Sequence, residues 1–257
     1  MPKPFRPVVI QLPFGQVVKG VRVGTSGWHY NHWRGPFYDT TTTGAQMLAH
    51  YVRQFDTVEL NNSFYRLPSE EAFEAWRDST PDDFLFAVKA SRFITHNKKL
   101  KDPQAALENI IPRAEILGRK LGPILFQLPP RWHVNPERLD SFLEMLPARH
   151  CYAFELRDPT WHIEPVYKLL RKYNAAFCIY ELAGFQSPLE ITADFTYVRL
   201  HGPAGKYQGN YSGEALRTWA KRIQKWLESL TQVYIYFDND QEAYAAHNAG
   251  ELKRLLA

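Results

Sequence analysis

Apolar positions along this chain follow two alternating patterns. Short runs rich in Val, Ile, Tyr and Phe occur at 21–24, 57–61, 84–89, 123–128, 152–156, 175–180, 196–200 and 233–237, the residues that suit a buried pleated surface. Between them lie segments of helical period. The clearest is 213–230, where Leu216, Trp219, Ile223, Trp226, Leu227 and Leu230 make one apolar stripe. Eight strands alternating with about seven helices predict an α/β architecture, a parallel sheet covered by helices. A chain of 257 residues holds eight such units as a closed (β/α)8 TIM-like barrel with little left over.

Local signals mark the ends of the helices. Asn135-Pro136 and Asp102-Pro103 each place a capping side chain before a proline at the first helical position, and Ser69 and Ser212 are caps for two more helices. Pro112 is expected to kink or split a helix over 103–121. Ala183 to Asp194 carries Gly and Pro and no helical stripe, so the unit between the sixth and seventh strands is expected to lack its helix. With no linker and no internal repeat, 1–257 reads as one domain.

Composition narrows the class. A hydrophobic content of 45% with 23% charged residues excludes a disordered tail or a coiled coil. No apolar run approaches the roughly 18 residues that span a bilayer. Met1-Pro-Lys-Pro-Phe-Arg6 has no apolar stretch of the kind that directs export, and two cysteines, Cys151 and Cys178, make no disulfide framework. The expectation is a cytoplasmic protein with no membrane partner. A net charge of +4 neither requires nor excludes nucleic acid.

In a TIM-type barrel, alternate strand residues point inward, and sites form at the C-terminal strand ends and the loops after them. Those ends offer Glu59 and Asn61, Lys89, Gln127, Glu155 and Arg157, Arg199 and His201, then Asp238 and Asn239. Spacing of two puts each pair on one face. The charges cancel, with Glu59, Glu155 and Asp238 against Lys89, Arg157 and Arg199. A neutral ring of this kind fits an active site, and it also fits a salt-bridge network that braces the barrel. The loops add Trp28, His29, Ser63-Phe-Tyr65, the basic stretch Arg92 to Lys99, Arg131-Trp-His133, Asp158 to His162 and Gly202 to Tyr211. Trp28, Trp33, Trp132 and Trp161 therefore fall at one end, either to stack on a flat ligand or to make small cores for the loops themselves.

Gly24-Thr-Ser-Gly-Trp28, Glu59-Leu-Asn-Asn-Ser-Phe-Tyr65, Gln127-Leu-Pro-Pro130, Glu155-x-Arg157 and Arg199-Leu-His-Gly202 resemble the motifs of the YecE-like family, domain of unknown function 72, over about 21–256. The resemblance implies a TIM-like barrel and no particular reaction or cofactor. One departure is that the last strand of the family pattern usually ends Phe-Asn-Asn, where this chain has Phe237-Asp238-Asn239. That counts against Asp238 as an indispensable catalytic carboxylate.

No motif calls for a nucleotide cofactor, a serine nucleophile elbow or a zinc helix, and the strand ends offer one histidine beside acids already opposed by bases, so neither metal nor cofactor is expected. General acid–base chemistry remains, with Glu155, His201 and Glu59 as candidate proton carriers. Arg157, Arg199 and Lys89 form a candidate clamp for a small anion, with Asn61, Gln127, Trp28, His29, Tyr65 and Asn239 as further ligand contacts. Three readings follow: a hydrolase- or lyase-type enzyme on a small anionic, ring-containing substrate; a nucleic-acid-binding or processing protein using the same basic and aromatic face; and a ligand-binding or interaction protein without turnover.

Overall fold

A computed structural model describes residues 20–257; the Met1–Arg6 stretch weighed above for export lies outside them. The strands are β1 (Val21–Thr25), β2 (Thr57–Leu60), β3 (Leu85–Lys89), β4 (Leu121–Leu128), β5 (Tyr152–Leu156), β6 (Ala176–Leu182), the two-residue β7 (Phe185–Gln186), β8 (Phe195–Leu200) and β9 (Gln232–Phe237). The helices are α1 (Gly44–Tyr51), α2 (Glu70–Asp78), α3 (Gln104–Glu115), α4 (Pro136–Glu144), α5 (Glu164–Lys172), α6 (Gly213–Trp226) and α7 (Tyr244–Leu256). Each of the eight runs expected from the sequence is a strand, with bounds within two residues of those read from the pattern.

Eight parallel strands run in the order β1-β9-β8-β6-β5-β4-β3-β2. The barrel closes between β1 and β2 through one parallel bridge, Ser26 opposite Glu59, with the Gly27 amide donating to the Glu59 carbonyl at 2.9 Å. Gly24 permits this seam, because a Cβ there would sit 2.3 Å from the Thr57 carbonyl oxygen. Between β6 and β8 no helix forms. Instead β7 turns back antiparallel onto β6, as the absence of a stripe over 183–194 implied.

Two local expectations are corrected. Asp102 does not cap α3: its φ of +44° turns the backbone away from the helix, and Pro103 takes the capping position with no side-chain bond. Nor does Pro112 split α3, which runs through it and ends at Glu115, three residues on. Asn135, Ser69 and Ser212 cap as expected, accepting from the amides of Arg138, Ala72 and Ala215 at 2.9, 3.4 and 3.2 Å.

Strand period sorts the core into two shells. Val58, Leu60, Phe86, Val88, Phe126, Phe154, Val198 and Ile235 face outward to the helices. Ala87, Leu125, Ala153, Cys178, Phe195, Tyr197, Tyr234 and Tyr236 fill the inside of the barrel. The inward positions next along the strands are Glu59, Lys89, Gln127, Glu155, Arg199 and Asp238, so the interior changes from apolar to charged toward the C-terminal end.

Candidate functional site

The charged layer rests on a layer of hydroxyls. The Tyr197 hydroxyl donates to Glu59 Oε2 at 2.6 Å, and the Tyr236 and Thr57 hydroxyls meet at 2.7 Å. Arg199 is fully buried at its centre. Its Nε and Nη2 donate to the two oxygens of Glu59 at 3.0 and 2.7 Å. Its Nη1 donates to Glu155 Oε2 at 2.7 Å, and Nη2 also reaches Asp238 Oδ2 at 3.0 Å. Ser26 Oγ donates to Glu59 Oε1 at 2.5 Å, which completes that carboxylate. Arg157 Nε donates to Glu155 Oε1.

His201, also fully buried, has its Nδ1 2.9 Å from Asp238 Oδ2. A carboxylate accepts only, so Nδ1 carries the proton. Nε2 lies 3.1 Å from Arg157 Nη2, 3.4 Å from Arg199 Nη1 and 3.4 Å from Glu155 Oε1. The loop after β8 folds over this ring: Gly202, at φ +110°, admits the close return of Gln208, and Tyr207 packs 5.6 Å from His201.

These contacts fix the electrostatics. Burial alone pushes the Glu155 carboxyl up, and the cations of Arg157 and Arg199 outweigh it, leaving the group well below the usual carboxylate range. Asp238 is lowered in the same way by Arg199 and His201 against its burial. The guanidiniums of Arg199 and Arg157 are raised, because neighbouring carboxylates, Glu59 foremost for Arg199 and Glu155 for Arg157, overcome their desolvation. Lys89 differs. Burial and the charge of Arg199 lower its ammonium to about 8, although Glu59, Asp238 and Glu155 pull the other way. Its side chain is 4% exposed and lies 4.2 Å over the Phe64 ring. It has no hydrogen-bond or salt-bridge partner among the described residues.

The geometry thus brings together Glu59, Glu155, His201, Arg157 and Arg199, with Lys89 in the same layer. Asn61, just after β2, and Gln127, on β4, belong to the strand units on either side of β3. Each has a buried side-chain carbonyl oxygen that lacks a partner, as does Asn239 after β9. Asn239 is buried and donates to Gly209 O and Asn248 Oδ1 at 2.8 and 3.0 Å. Other candidates stand apart. Trp28 is corrected as a ligand contact: it is buried edge-on against Trp76 of α2 with centroids 5.7 Å apart. Trp33, Trp132 and Trp161 are buried too, so the loop tryptophans make local cores. His29 is exposed over Gly44 at the start of α1, and Tyr65 is 70% exposed at the rim. Asp238, discounted from the family pattern, is a full member of the network. Ser26 and Tyr197 also belong to it and were not singled out from the sequence. Ser26 sits inside the Gly24–Trp28 motif, which was the available signal. Among the described residues, no three His, Cys, Asp or Glu side chains gather as a metal cage; the oxygens of Glu59 and Glu155 are held by arginines.

Fold and site together define a TIM-like barrel whose C-terminal mouth is floored by a buried, arginine-centred charge network. Residues 22–257 match the family described as "Protein of unknown function DUF72", and the chain belongs to that family. It is 25% identical to UPF0759 protein YunF of Bacillus subtilis (strain 168) over 273 residues, covering 92% of this chain and 94% of that protein. It is 30% identical over 142 residues to UPF0759 protein YecE of Escherichia coli (strain K12), a match spanning 54% of this chain and about half, 49%, of YecE. The crystal structure of a DUF72 family protein from Thermotoga maritima MSB8 superposes with a TM-score of 0.84 at 30% identity, over 92% of this chain and 99% of that one. One from Enterococcus faecalis V583, at 18% identity and a TM-score of 0.73 over 92% and 95% of the two chains, shares the fold.

Proposed function

We propose that the barrel mouth binds a small organic anion and acts on it as an acid–base enzyme. The observation that carries this reading is the uneven distribution of compensation in the charged layer. Both oxygens of Glu59 and of Glu155 are taken by buried donors. Two cations retain capacity: the Lys89 ammonium, and Arg157, which spends Nε on Glu155 and Nη2 on His201 and keeps Nη1. A desolvated cation without a carboxylate is costly, and an incoming carboxylate or phosphate supplies the missing charge. In this reading Glu59 and Glu155 anchor the arginines, Asp238 orients His201, and Lys89, titrating near neutrality, is the proton carrier.

The test is a thermal-shift titration with inorganic phosphate and with oxalate. A ligand at about 100 times its dissociation constant adds about 2.7 kcal/mol, which raises the midpoint of a domain this size by several degrees. The shift is expected in the wild type and lost in Arg157→Met. No shift, or a shift unchanged in that variant, overturns the reading.

A second reading has its own observation. Phe93 and Tyr65 are 47% and 70% exposed among Arg66, Arg92, Lys98 and Lys99, which are also exposed, a surface suited to stacking nucleic-acid bases beside phosphates. A shift produced by short oligonucleotides alone, fading steeply with salt, favours it.

A further inference from the structure

We propose that Lys89 is a nucleophilic amine that forms an imine with a carbonyl compound bearing an anionic group and hydroxyls. The inference rests on the anion-binding reading and names the bond made at that site.

Placement comes first. Lys89 ends β3 on an inward position, and its carbonyl is pinned by the Ser63 hydroxyl at 2.7 Å, so the strand end that carries the amine is fixed. The ammonium nitrogen lies 4.2 Å over the Phe64 ring centroid, a cation–π contact that positions the nitrogen without giving it a hydrogen-bond acceptor or a counter-ion. The charged and titratable groups around it come from every side of the mouth: Glu59 on β2, Glu155 on β5, Arg157 just beyond it, Arg199 on β8, Asp238 after β9, and His96 in the helical turn after β3. None holds Lys89 in an ion pair. His96 is itself pushed down to about 4 by burial and by the charges of Lys89, Arg92 and Arg157, so it adds no positive charge at neutral pH.

A second, independent observation concerns the flanks. Register pairs Leu60 with Val88 and Lys89 with Leu125, so Asn61 follows the end of β2 on one side of β3 and Gln127 lies two residues beyond the Lys89 partner on β4. Each holds a buried amide oxygen with no donor. Buried acceptors without partners are rare in native proteins. Hydroxyls on the ligand, including the one created when the amine adds to a carbonyl, are the donors these oxygens lack.

The chemistry balances without an outside reagent. The Nζ lone pair attacks the carbonyl carbon and the C=O π pair moves to oxygen, giving a carbinolamine after proton transfer. The proton that the Lys89 ammonium sheds to become the attacking amine is returned to the carbinolamine hydroxyl, which leaves as water and gives the protonated imine, so one water is released and no net proton is consumed. The attacking form is the free amine. At a value of about 8, roughly one amine in ten is unprotonated at pH 7, against about one in three thousand for an ordinary lysine.

The experiment uses D-erythrose 4-phosphate, which carries an aldehyde, hydroxyls and a phosphate, with glyoxylate as an anion lacking the hydroxyl chain. Each is incubated with the protein at pH 7 and reduced with sodium cyanoborohydride, whose hydride adds to the imine carbon and leaves a stable secondary amine. Peptide mass mapping locates it. The expected result is labelling of Lys89 at least about tenfold above exposed Lys98 and Lys206, stronger with the sugar phosphate than with glyoxylate, and suppressed by inorganic phosphate. Labelling spread evenly over the lysines, or absent from Lys89, overturns the proposal. A wild type that shows the phosphate shift without labelling at Lys89 refutes the imine and leaves the anion site standing. A wild type without the phosphate shift refutes the anion site itself.

Discussion

The β8–β9–β1–β2 side of the charged layer and its β3–β4 side answer the same problem differently. On the first, Arg199 is fully buried and shares its hydrogens among Glu59, Glu155, Asp238 and Ser26. On the second, Lys89 is nearly as buried and has no paired carboxylate; unpartnered amide oxygens occur on both sides, at Asn61 and Gln127 here and at Asn239 on the other. Burying a compensated guanidinium is a way to close a barrel. Leaving an ammonium uncompensated in the same layer lowers stability, and such groups are found where a ligand completes them. The contrast is what the proposed reading rests on: it assigns bracing to Arg199 and ligand binding to Lys89, two roles that a count of charges leaves equal.

The sharpest way to break this comparison is to delete each cation. Arg199→Met leaves the buried Glu59 carboxylate without its paired cation and removes one of the two from Glu155, and should cost about 3–5 kcal/mol in urea unfolding. If it costs less than about 1 kcal/mol, the network is not a brace. Lys89→Met should move the other way, gaining about 1–3 kcal/mol at pH 7, because it removes a charge the fold disfavours. The sign can be checked against pH. The folded value, about 8, lies below the unfolded one, so the protonated form penalises folding at pH below 8. The penalty is relieved as the native state sheds its proton between about pH 8 and 10.5. The advantage of the variant should therefore shrink across that window, and a constant advantage would point to packing instead.

Much of this arrangement is written in the sequence. The eight strands are legible because a strand inside a barrel buries both faces, which yields short Val-, Ile- and aromatic-rich runs. Period two then assigns Glu59, Glu155, Arg157, Arg199 and His201 inward positions. Which cation is left over is not legible. Six charges cancel on paper, yet Arg199 takes most of the carboxylate oxygens because its planar fork spans β2, β5 and β9 at once, a property of strand positions in space. The loop tryptophans misled for a related reason. A ring in a mouth loop looks the same in sequence whether it faces a ligand or, as Trp28 does, the helix behind. The Asp102 cap failed because a left-handed residue overrode a common dipeptide signal.

Acid titration gives a smaller effect. Glu155 and Asp238 are held below their ordinary values, so the stability they contribute is complete above the unfolded carboxylate range, near pH 4, and is lost as the pH falls through the lowered folded values. The urea midpoint of the wild type should decline below about pH 4. Asp238→Asn should make that decline shallower while leaving the Lys89 window above pH 8 in place.

The smallest expected effect tests where the site ends. Tyr65 and Phe93 stand at the rim, exposed, with neither in the charge network. Replacing either by Ala should change stability by no more than about 0.5 kcal/mol, as for surface positions generally. A ligand that reaches no further than Lys89 and Arg157 leaves these rings untouched, so the phosphate shift should survive both changes. A substrate with a flat ring, or a nucleic-acid strand, needs something to stack on, and its binding should weaken by about 1–3 kcal/mol per ring removed. Loss of the phosphate shift itself in Tyr65→Ala or Phe93→Ala would erase the boundary between rim and floor, and the anion would then belong to the exposed basic loop instead of to Lys89.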